Sequence, residues 1–288
     1  MQRFVTILSS ILFVVLFVGV VQVGGVSAHE DHNVVKFGVY PYKSPRTIVK
    51  LFSPIVKRLE KALGVEVQLV TAPDFATFVA RGKSGEYDLA LPCVHCYYQI
   101  REQGGYSVIA RGEPSFFGGT LVRKDSGIDS VAQLKGKKIA SVGKHSYAAH
   151  LFLVQQLHEN GIDPQQDVEF QFLGKLGSII YGVLNKKYDA GTIRRDAINS
   201  PAFKGVSKDL KFISQSEPIP QFPFVVKKDL PAAQVAIIRD VLVALNSADE
   251  VDRQIMKSLR LQAIQPATDG DYEPFWKILQ QALEFSRR

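Results

Sequence analysis

Short apolar segments alternate with amphipathic segments along most of this 288-residue chain. The first apolar segment spans residues 34–39, and apolar residues at helical spacing follow it between Ser44 and Gly64. Ser44 is a favourable helix N-cap, Pro45 suits the first helical position, and Gly64 suits the position after the last turn. The alternation predicts an α/β fold of mostly parallel sheets flanked by helices.

The alternation occurs in two runs, and the chain then returns through a proline-rich segment at 218–223. We predict a first lobe that consists of residues 34–117 and 210–288. The second lobe is predicted over residues 118–209, so the last segment is the return that completes the first lobe. We therefore expect two lobes joined by two hinge crossovers. A cleft between such lobes is where strand ends and helix N-termini meet a ligand.

The N-terminus has the composition of an export signal. Arg3 precedes an apolar run at 4–26, and the small residues Ser27 and Ala28 complete a cleavage pattern. We expect a signal peptide over residues 1–28 and a periplasmic protein. An uncleaved membrane anchor is the alternative, because more than about 18 apolar residues can span a bilayer.

The charge balance favours a small anionic ligand or an anionic membrane surface. The chain has 35 Lys and Arg against 28 Asp and Glu, and the basic residues are scattered. A scattered excess does not predict nucleic-acid binding. The sequence also lacks the serine-hydrolase, zinc-protease, phosphate-loop and dinucleotide-binding motifs. We expect no catalysis, no cofactor and no metal site.

The only two cysteines, Cys93 and Cys96, flank His95 in a segment after a predicted strand. A structural disulfide or a pair of buried thiols is one interpretation. A thiol site for a soft ligand, with His95 as a partner, and a redox motif are the others. The position of His95 inside the pair excludes the Cys-x-x-Cys-His haem motif.

Arg194 follows a predicted strand at 189–193, at the strand end that would face the cleft. An arginine in this position could hold an oxyanion through two parallel hydrogen bonds. A surface ion pair is the alternative interpretation.

Several short motifs occur in an order that resembles the phosphonate-binding-protein family, the phosphate, phosphite and phosphonate binding subunits of ABC transporters. The resemblance covers nearly all of the chain after the predicted signal. Its main motifs are FGVYP at 37–41, LEKALGV at 59–65, YDLA at 87–90, RKDSG at 123–127 with LKGKK at 134–138, VLNKKYDAG at 183–191 and PATDGDY at 266–272.

The resemblance implies a type II periplasmic binding protein that delivers a small oxyanion to an ABC transporter permease. It implies a monomer that closes its two lobes on the ligand. It also leaves open a sensor protein that binds arsenite or another thiophilic ligand through Cys93 and signals to a histidine kinase. A periplasmic thiol oxidoreductase is a third hypothesis.

The resemblance further implies an oxyanion held by first-lobe tyrosines, here Tyr40 and Tyr97, and by a helix start in the second lobe, here His145, Ser146 and Tyr147. A helix N-terminus suits this role because it carries unpaired N–H groups and about half a positive charge. The complete predicted site consists of Tyr40, Cys93, His95, Tyr97, His145, Ser146, Tyr147 and Arg194.

Overall fold

The computed structural model describes residues 34–286. The predicted signal peptide lies outside these residues. Within them, no helix is long and apolar enough to cross a membrane. The described residues belong to one compact unit.

Eleven strands build the sheets of the described part of the chain. They are β1 Val34–Val39, β2 Glu66–Val70, β3 Leu89–Leu91, β4 Tyr106–Glu113, β5 Gly118–Arg123, β6 Lys138–Ser141, β7 Glu169–Phe172, β8 Ala190–Arg194, β9 Leu210–Gln215, β10 Pro223–Lys227 and β11 Ala263–Pro266.

Among residues 34–286, eight α-helices flank the sheets, and a π-helical turn, Tyr147–Leu151, leads directly into the fourth of them. The helices are α1 Pro45–Leu63, α2 Phe75–Lys83, α3 Val94–Ile100, α4 Phe152–Glu159, α5 Leu176–Leu184, α6 Ala232–Val243, α7 Glu250–Leu259 and α8 Glu273–Phe285. Short 3-10 helices span Val131–Leu134, Arg195–Asn199, Pro201–Phe203, Ser207–Asp209 and Asp269–Asp271.

The strands form two sheets, which define the two lobes. The first lobe has six strands in the order β11-β4-β10-β3-β1-β2, and the second has five in the order β7-β6-β8-β5-β9. In the first, β1 is parallel to β2 and β3, whereas β10, β4 and β11 run antiparallel to their neighbours. In the second, β6 is parallel to β7 and β8, and β5 is antiparallel to β8 and β9.

The two-lobed α/β class is confirmed, with one correction: the sheets are mixed rather than mostly parallel. Apart from β11, which lies between α7 and α8, the antiparallel strands β4, β5, β9 and β10 are those next to the crossovers, where no helix separates consecutive strands. The strand β9 was assigned to the first lobe by sequence, within residues 210–288. It pairs with β5 and lies in the second sheet.

The two crossovers between the lobes run side by side. The first connects β4 to β5 and the second connects β9 to β10. Phe116 and Ile219 pair as an isolated antiparallel bridge, with N···O distances of 2.9 and 2.8 Å in the two directions. Gly118 and Ser216 extend this contact, because the Ser216 N–H donates to the Gly118 carbonyl at 3.1 Å and the Gly118 N–H to Ser216 Oγ at 2.9 Å.

The first helix forms as its sequence predicts. Ser44 caps α1 by accepting a hydrogen bond from the Thr47 N–H, and Gly64 adopts the left-handed conformation that ends the helix. The buried face consists of Ile48, Phe52, Ile55 and Leu59.

The C-terminal helix α8 contacts both lobes. Trp276 packs against Tyr97 of α3, with ring centroids 5.9 Å apart. On the second lobe, Phe275 packs edge-on against Tyr147, with centroids 4.9 Å apart, and the Phe285 carbonyl lies 3.1 Å from His158 Nε2. The return of the chain therefore bridges the lobes as well as completing the first.

Candidate functional site

The carboxyl ends of the central parallel strands carry most of the predicted site. Tyr40 follows β1, and its N–H donates to the carbonyl of Leu91, the last residue of β3, at 3.1 Å. In the second lobe, β6 ends at Ser141 beside β8, which ends at Arg194. Ligands of open α/β sheets bind at such strand ends.

A hydrogen bond between the lobes joins these edges. His95 lies in the first turn of α3, and its Nδ1 is 2.5 Å from the carbonyl oxygen of His145, in the loop after β6. Since a carbonyl oxygen only accepts, Nδ1 carries the proton, and Nε2 of the neutral ring presents a lone pair. His95 is 8% exposed.

The environment of His95 favours its neutral form. Burial lowers the pKa of this side chain below its ordinary value, and the nearby His145 acts in the same direction. The hydrogen bond to the His145 carbonyl opposes both effects. An anion bound at Nε2 would raise the pKa, because it would favour the imidazolium form.

Cys93 and Cys96 form a disulfide at the start of α3. Cys93 is the N-cap of this helix, and its Sγ accepts a hydrogen bond from the Cys96 N–H at 3.0 Å. The segment is therefore the start of a helix. In this oxidised form neither sulfur is a free thiol, so the structure favours the disulfide interpretation over a soft-ligand site.

The second-lobe helix begins as the resemblance implies, with Ser146 at its N-cap position. The first turn is π-helical: the Leu151 N–H donates to the Ser146 carbonyl at 3.1 Å. The Ser146 side chain makes no capping hydrogen bond. Within the described part of the chain, the N–H groups of residues 147–150 therefore have neither intrahelical nor side-chain acceptors.

Buried hydroxyl groups hold this helix start against the sheet. Ser141 at the end of β6 and Thr192 of β8 both donate to the carbonyl oxygen of Ala149 in the π-helical turn. Gly118 of β5 allows close contact, since a Cβ there would lie 2.5 Å from the Ala148 carbonyl oxygen. Three strands of the second sheet thus fix the position of Ser146.

Tyr40 belongs to an aromatic cluster. Its ring stacks on Tyr42, with centroids 5.0 Å apart, and packs against Phe222 of the second crossover at 5.2 Å. Burial raises the pKa of the Tyr40 hydroxyl well above its usual range, Tyr42 adds to this, and the Arg194 charge opposes it. Phe222 in turn packs on Phe116, with centroids 5.8 Å apart, and the Arg194 guanidinium lies over Phe116, so Tyr40 and Arg194 border one aromatic cluster.

Arg194 is already paired. Its Nε and Nη2 donate to the two carboxylate oxygens of Asp196, at 2.6 and 2.8 Å. Its Nη1 is 3.3 Å from Gln221 Oε1, and its guanidinium lies 4.0 Å from the ring centroid of Phe116. In this conformation Arg194 thus forms the ion pair that was the alternative interpretation. Its contacts with Phe116 and Gln221 also connect the second lobe to both crossovers.

Tyr97 and Tyr147 face α8 rather than the other predicted residues. The Tyr97 hydroxyl donates to the carboxylate of Asp269, and its side chain has no exposed surface. Tyr147 is buried against Phe275. Burial raises the pKa of both hydroxyls, with Asp269 adding to the effect at Tyr97. The structure brings together Cys93, His95, His145 and Ser146, and Tyr40 with Arg194.

Sequence reasoning missed the residues that support the site. Asp196 lies two residues after Arg194 in the sequence, and this closeness could have predicted their ion pair. Thr192 and Gln221 gave no signal, because their partners are distant in sequence. Across residues 34–286, no three His, Cys, Asp or Glu side chains are grouped as a metal site would require.

Comparison with known proteins supports the resemblance noted above. The family model for the periplasmic substrate-binding protein of phosphonate ABC transporters matches residues 37–272. A curated relative, the phosphonates-binding periplasmic protein of Escherichia coli K12, is 23% identical over 283 residues, covering 94% of this chain and 83% of the relative.

Two solved structures share the fold. PhnD1 of Prochlorococcus marinus in complex with methylphosphonate has a TM-score of 0.73 at 19% identity, covering 86% of this chain and 98% of that protein. A binding protein component of a phosphonate ABC transporter from Pseudomonas aeruginosa has a TM-score of 0.67 at 21% identity, covering 88% and 87%. The relatives from Escherichia coli and Pseudomonas aeruginosa are named as binding proteins.

Proposed function

Since this chain belongs to the family of periplasmic substrate-binding proteins of phosphonate ABC transporters, we propose that it captures a small oxyanion of the phosphonate, phosphite or phosphate class. The ligand binds between the lobes, at the start of the second-lobe helix. The protein acts as an exported monomer in the periplasm and delivers the oxyanion to an ABC transporter permease.

The observation that carries this proposal is the uncapped helix start beside an interlobe contact. The N–H groups from Tyr147 onward have no side-chain acceptor, although Ser146 occupies the N-cap position. The preceding residue, His145, contacts His95 of the first lobe. A phosphonate oxygen would satisfy these N–H groups and interact favourably with the positive end of the helix dipole.

The surroundings provide complementary chemistry for such a ligand. The Ser146 hydroxyl can donate to one oxygen of the anion. Nε2 of neutral His95 can accept a hydrogen bond from the hydroxyl of a singly protonated phosphonate. The Nδ1–H···O bond to His145 also forms between the lobes, so it stabilises the closed arrangement.

The aligned crossovers suit a hinge. Phe116 and Ile219 link the two connecting segments by two backbone hydrogen bonds, so both segments would bend as a unit. Closure around such a pair is the usual response of two-lobed binding proteins to their ligands.

Ser146→Asp tests the proposal. Aspartate is as good an N-cap as serine, so the helix should form normally. Its negative charge would lie where the anion binds. We expect calorimetry with methylphosphonate to show saturable binding by the wild type and an affinity at least about tenfold weaker for the variant, a change of roughly 1.4 kcal/mol.

Ser247→Asp is the matched control. Ser247 is exposed in the turn before α7, so this substitution adds the same charge away from the site. It should bind methylphosphonate like the wild type. Equal affinity of Ser146→Asp and Ser247→Asp would exclude the helix start as the anion site. Absence of binding to methylphosphonate, phosphite and phosphate by the wild type would exclude the function.

A further inference from the structure

The Cys93–Cys96 disulfide lies where the two lobes touch. His95, between the two cysteines, donates its Nδ1–H to the His145 carbonyl at 2.5 Å. His145 immediately precedes Ser146 and the uncapped helix start. A change of charge at Cys93 would therefore act on an anion bound between the lobes.

The two cysteines differ in burial. Cys96 is 3% exposed and belongs to the core of the first lobe, whereas Cys93 is half-buried. Thiol–disulfide exchange requires a thiolate to reach one of the two sulfurs directly. Cys93, the less buried cysteine, is therefore the better target for an incoming thiolate.

We propose that this disulfide is a thiol–disulfide exchange site, reduced by a dithiol, and that its reduction weakens oxyanion binding. The inference rests on the proposed function, because the bound oxyanion is what the reduced site would repel. Reduction thus changes the ligand affinity of the site already described.

The exchange conserves atoms and electrons. A thiolate of the dithiol attacks Cys93 Sγ, a mixed disulfide forms, and the Cys93–Cys96 bond breaks. Cys96 Sγ leaves with the electron pair and takes up a proton. The second thiol of the reductant loses its proton and attacks the reductant's own sulfur in the mixed disulfide, expelling Cys93 as a thiolate. Two electrons pass to the protein, and the dithiol becomes a cyclic disulfide.

Reduction replaces the neutral Cys93–Cys96 disulfide by two thiols, and a thiol can ionise to a negatively charged thiolate. The Cys96 N–H already donates to Cys93 Sγ at 3.0 Å, and this hydrogen bond is stronger when the acceptor is a thiolate. A thiolate at Cys93 would repel an oxyanion at the adjoining helix start. Reduction also removes the covalent link across the turn that holds His95 against His145.

Calorimetry with methylphosphonate on oxidised and dithiothreitol-treated protein tests this inference. At pH 8.5, about the ordinary pKa of a free thiol, the reduced protein should bind at least about tenfold more weakly. Cys96→Ser keeps the Cys93 thiol and should bind weakly with or without dithiothreitol. Cys93→Ser lacks that thiol, so its affinity should not change with dithiothreitol and should exceed that of Cys96→Ser.

Three results would overturn the inference: equal affinity of the oxidised and reduced wild type, equal affinity of Cys96→Ser and Cys93→Ser, or no release of titratable thiols by dithiothreitol from the folded protein. Failure of the proposed function would look different, because the oxidised wild type itself would then not bind methylphosphonate.

Discussion

At the scale of single residues, burial lowers the pKa of His95, His145 and His150 and so favours their neutral forms. His95 keeps its proton on Nδ1 because the only partner there is a carbonyl oxygen. His150 lies in the π-helical turn, edge-on to Phe170 and Phe172, with ring centroids 4.6 and 5.0 Å away. Its Nδ1 is buried and has no partner among the described residues.

His150 makes the folded state sensitive to acid. Burial lowers its pKa from the ordinary 6.5 to about 4, and His145 contributes in the same direction. The unfolded chain therefore takes up the proton first as the pH falls. The contribution of neutral His150 to the free energy of unfolding is complete above about pH 6.5 and is lost as the pH falls towards 4.

His150→Phe should reduce this sensitivity, because phenylalanine does not titrate and suits the aromatic surroundings. Between pH 7 and 4.5, the free energy of unfolding of the wild type should fall by about 2 kcal/mol more than that of the variant. Urea unfolding of both proteins at the two pH values gives this difference. Equal losses in the two proteins would show that His150 does not titrate as described.

At the scale of secondary-structure elements, the site depends on how closely the second-lobe helix approaches its sheet. Gly118 of β5 has no side chain, and an added Cβ would lie 2.5 Å from the Ala148 carbonyl oxygen and 2.9 Å from the Phe152 ring. The Ala149 carbonyl meanwhile accepts hydrogen bonds from Ser141 and Thr192. The helix start cannot move without breaking these bonds.

Gly118→Ala should therefore displace the helix start. We expect a loss of about 1–3 kcal/mol in the free energy of unfolding, together with weaker methylphosphonate binding. Gly205→Ala is the control, because a Cβ at Gly205 meets no atom within 4 Å. Denaturant unfolding and calorimetry provide the two readouts. If Gly118→Ala had the same free energy of unfolding and the same affinity for methylphosphonate as the wild type, the close contact between Gly118 and the helix start would not matter as described.

Elements with strong local signals could be predicted from the sequence, and those without them could not. Ser44, Pro45 and Gly64 determine α1 locally, and the structure confirms that helix. The helix α3 was missed, because Cys93 is not a recognised N-cap residue and the helix is only seven residues long. The strand β11 was missed as well, since its antiparallel pairing with β4 joins segments about 150 residues apart in sequence.

At the scale of the whole molecule, the return of the chain through β10 to α8 decides which predicted residues can face a ligand. Tyr97 projects from α3 towards Asp269 and Trp276, both contributed by the C-terminal part. Arg194 is paired with Asp196 and Gln221, the latter on the second crossover. Sequence patterns predicted the two lobes and the helix start at Ser146, but these orientations depend on contacts that form only when the whole chain has folded.

The central claim is that both lobes hold one oxyanion at the second-lobe helix start. A crystal structure of the protein with methylphosphonate tests it most directly. We expect phosphonate oxygens within about 2.7–3.2 Å of the first N–H groups of the helix that begins at Tyr147, with His95 of the first lobe at the ligand. A phosphonate bound elsewhere, or one that contacts a single lobe, would contradict the account.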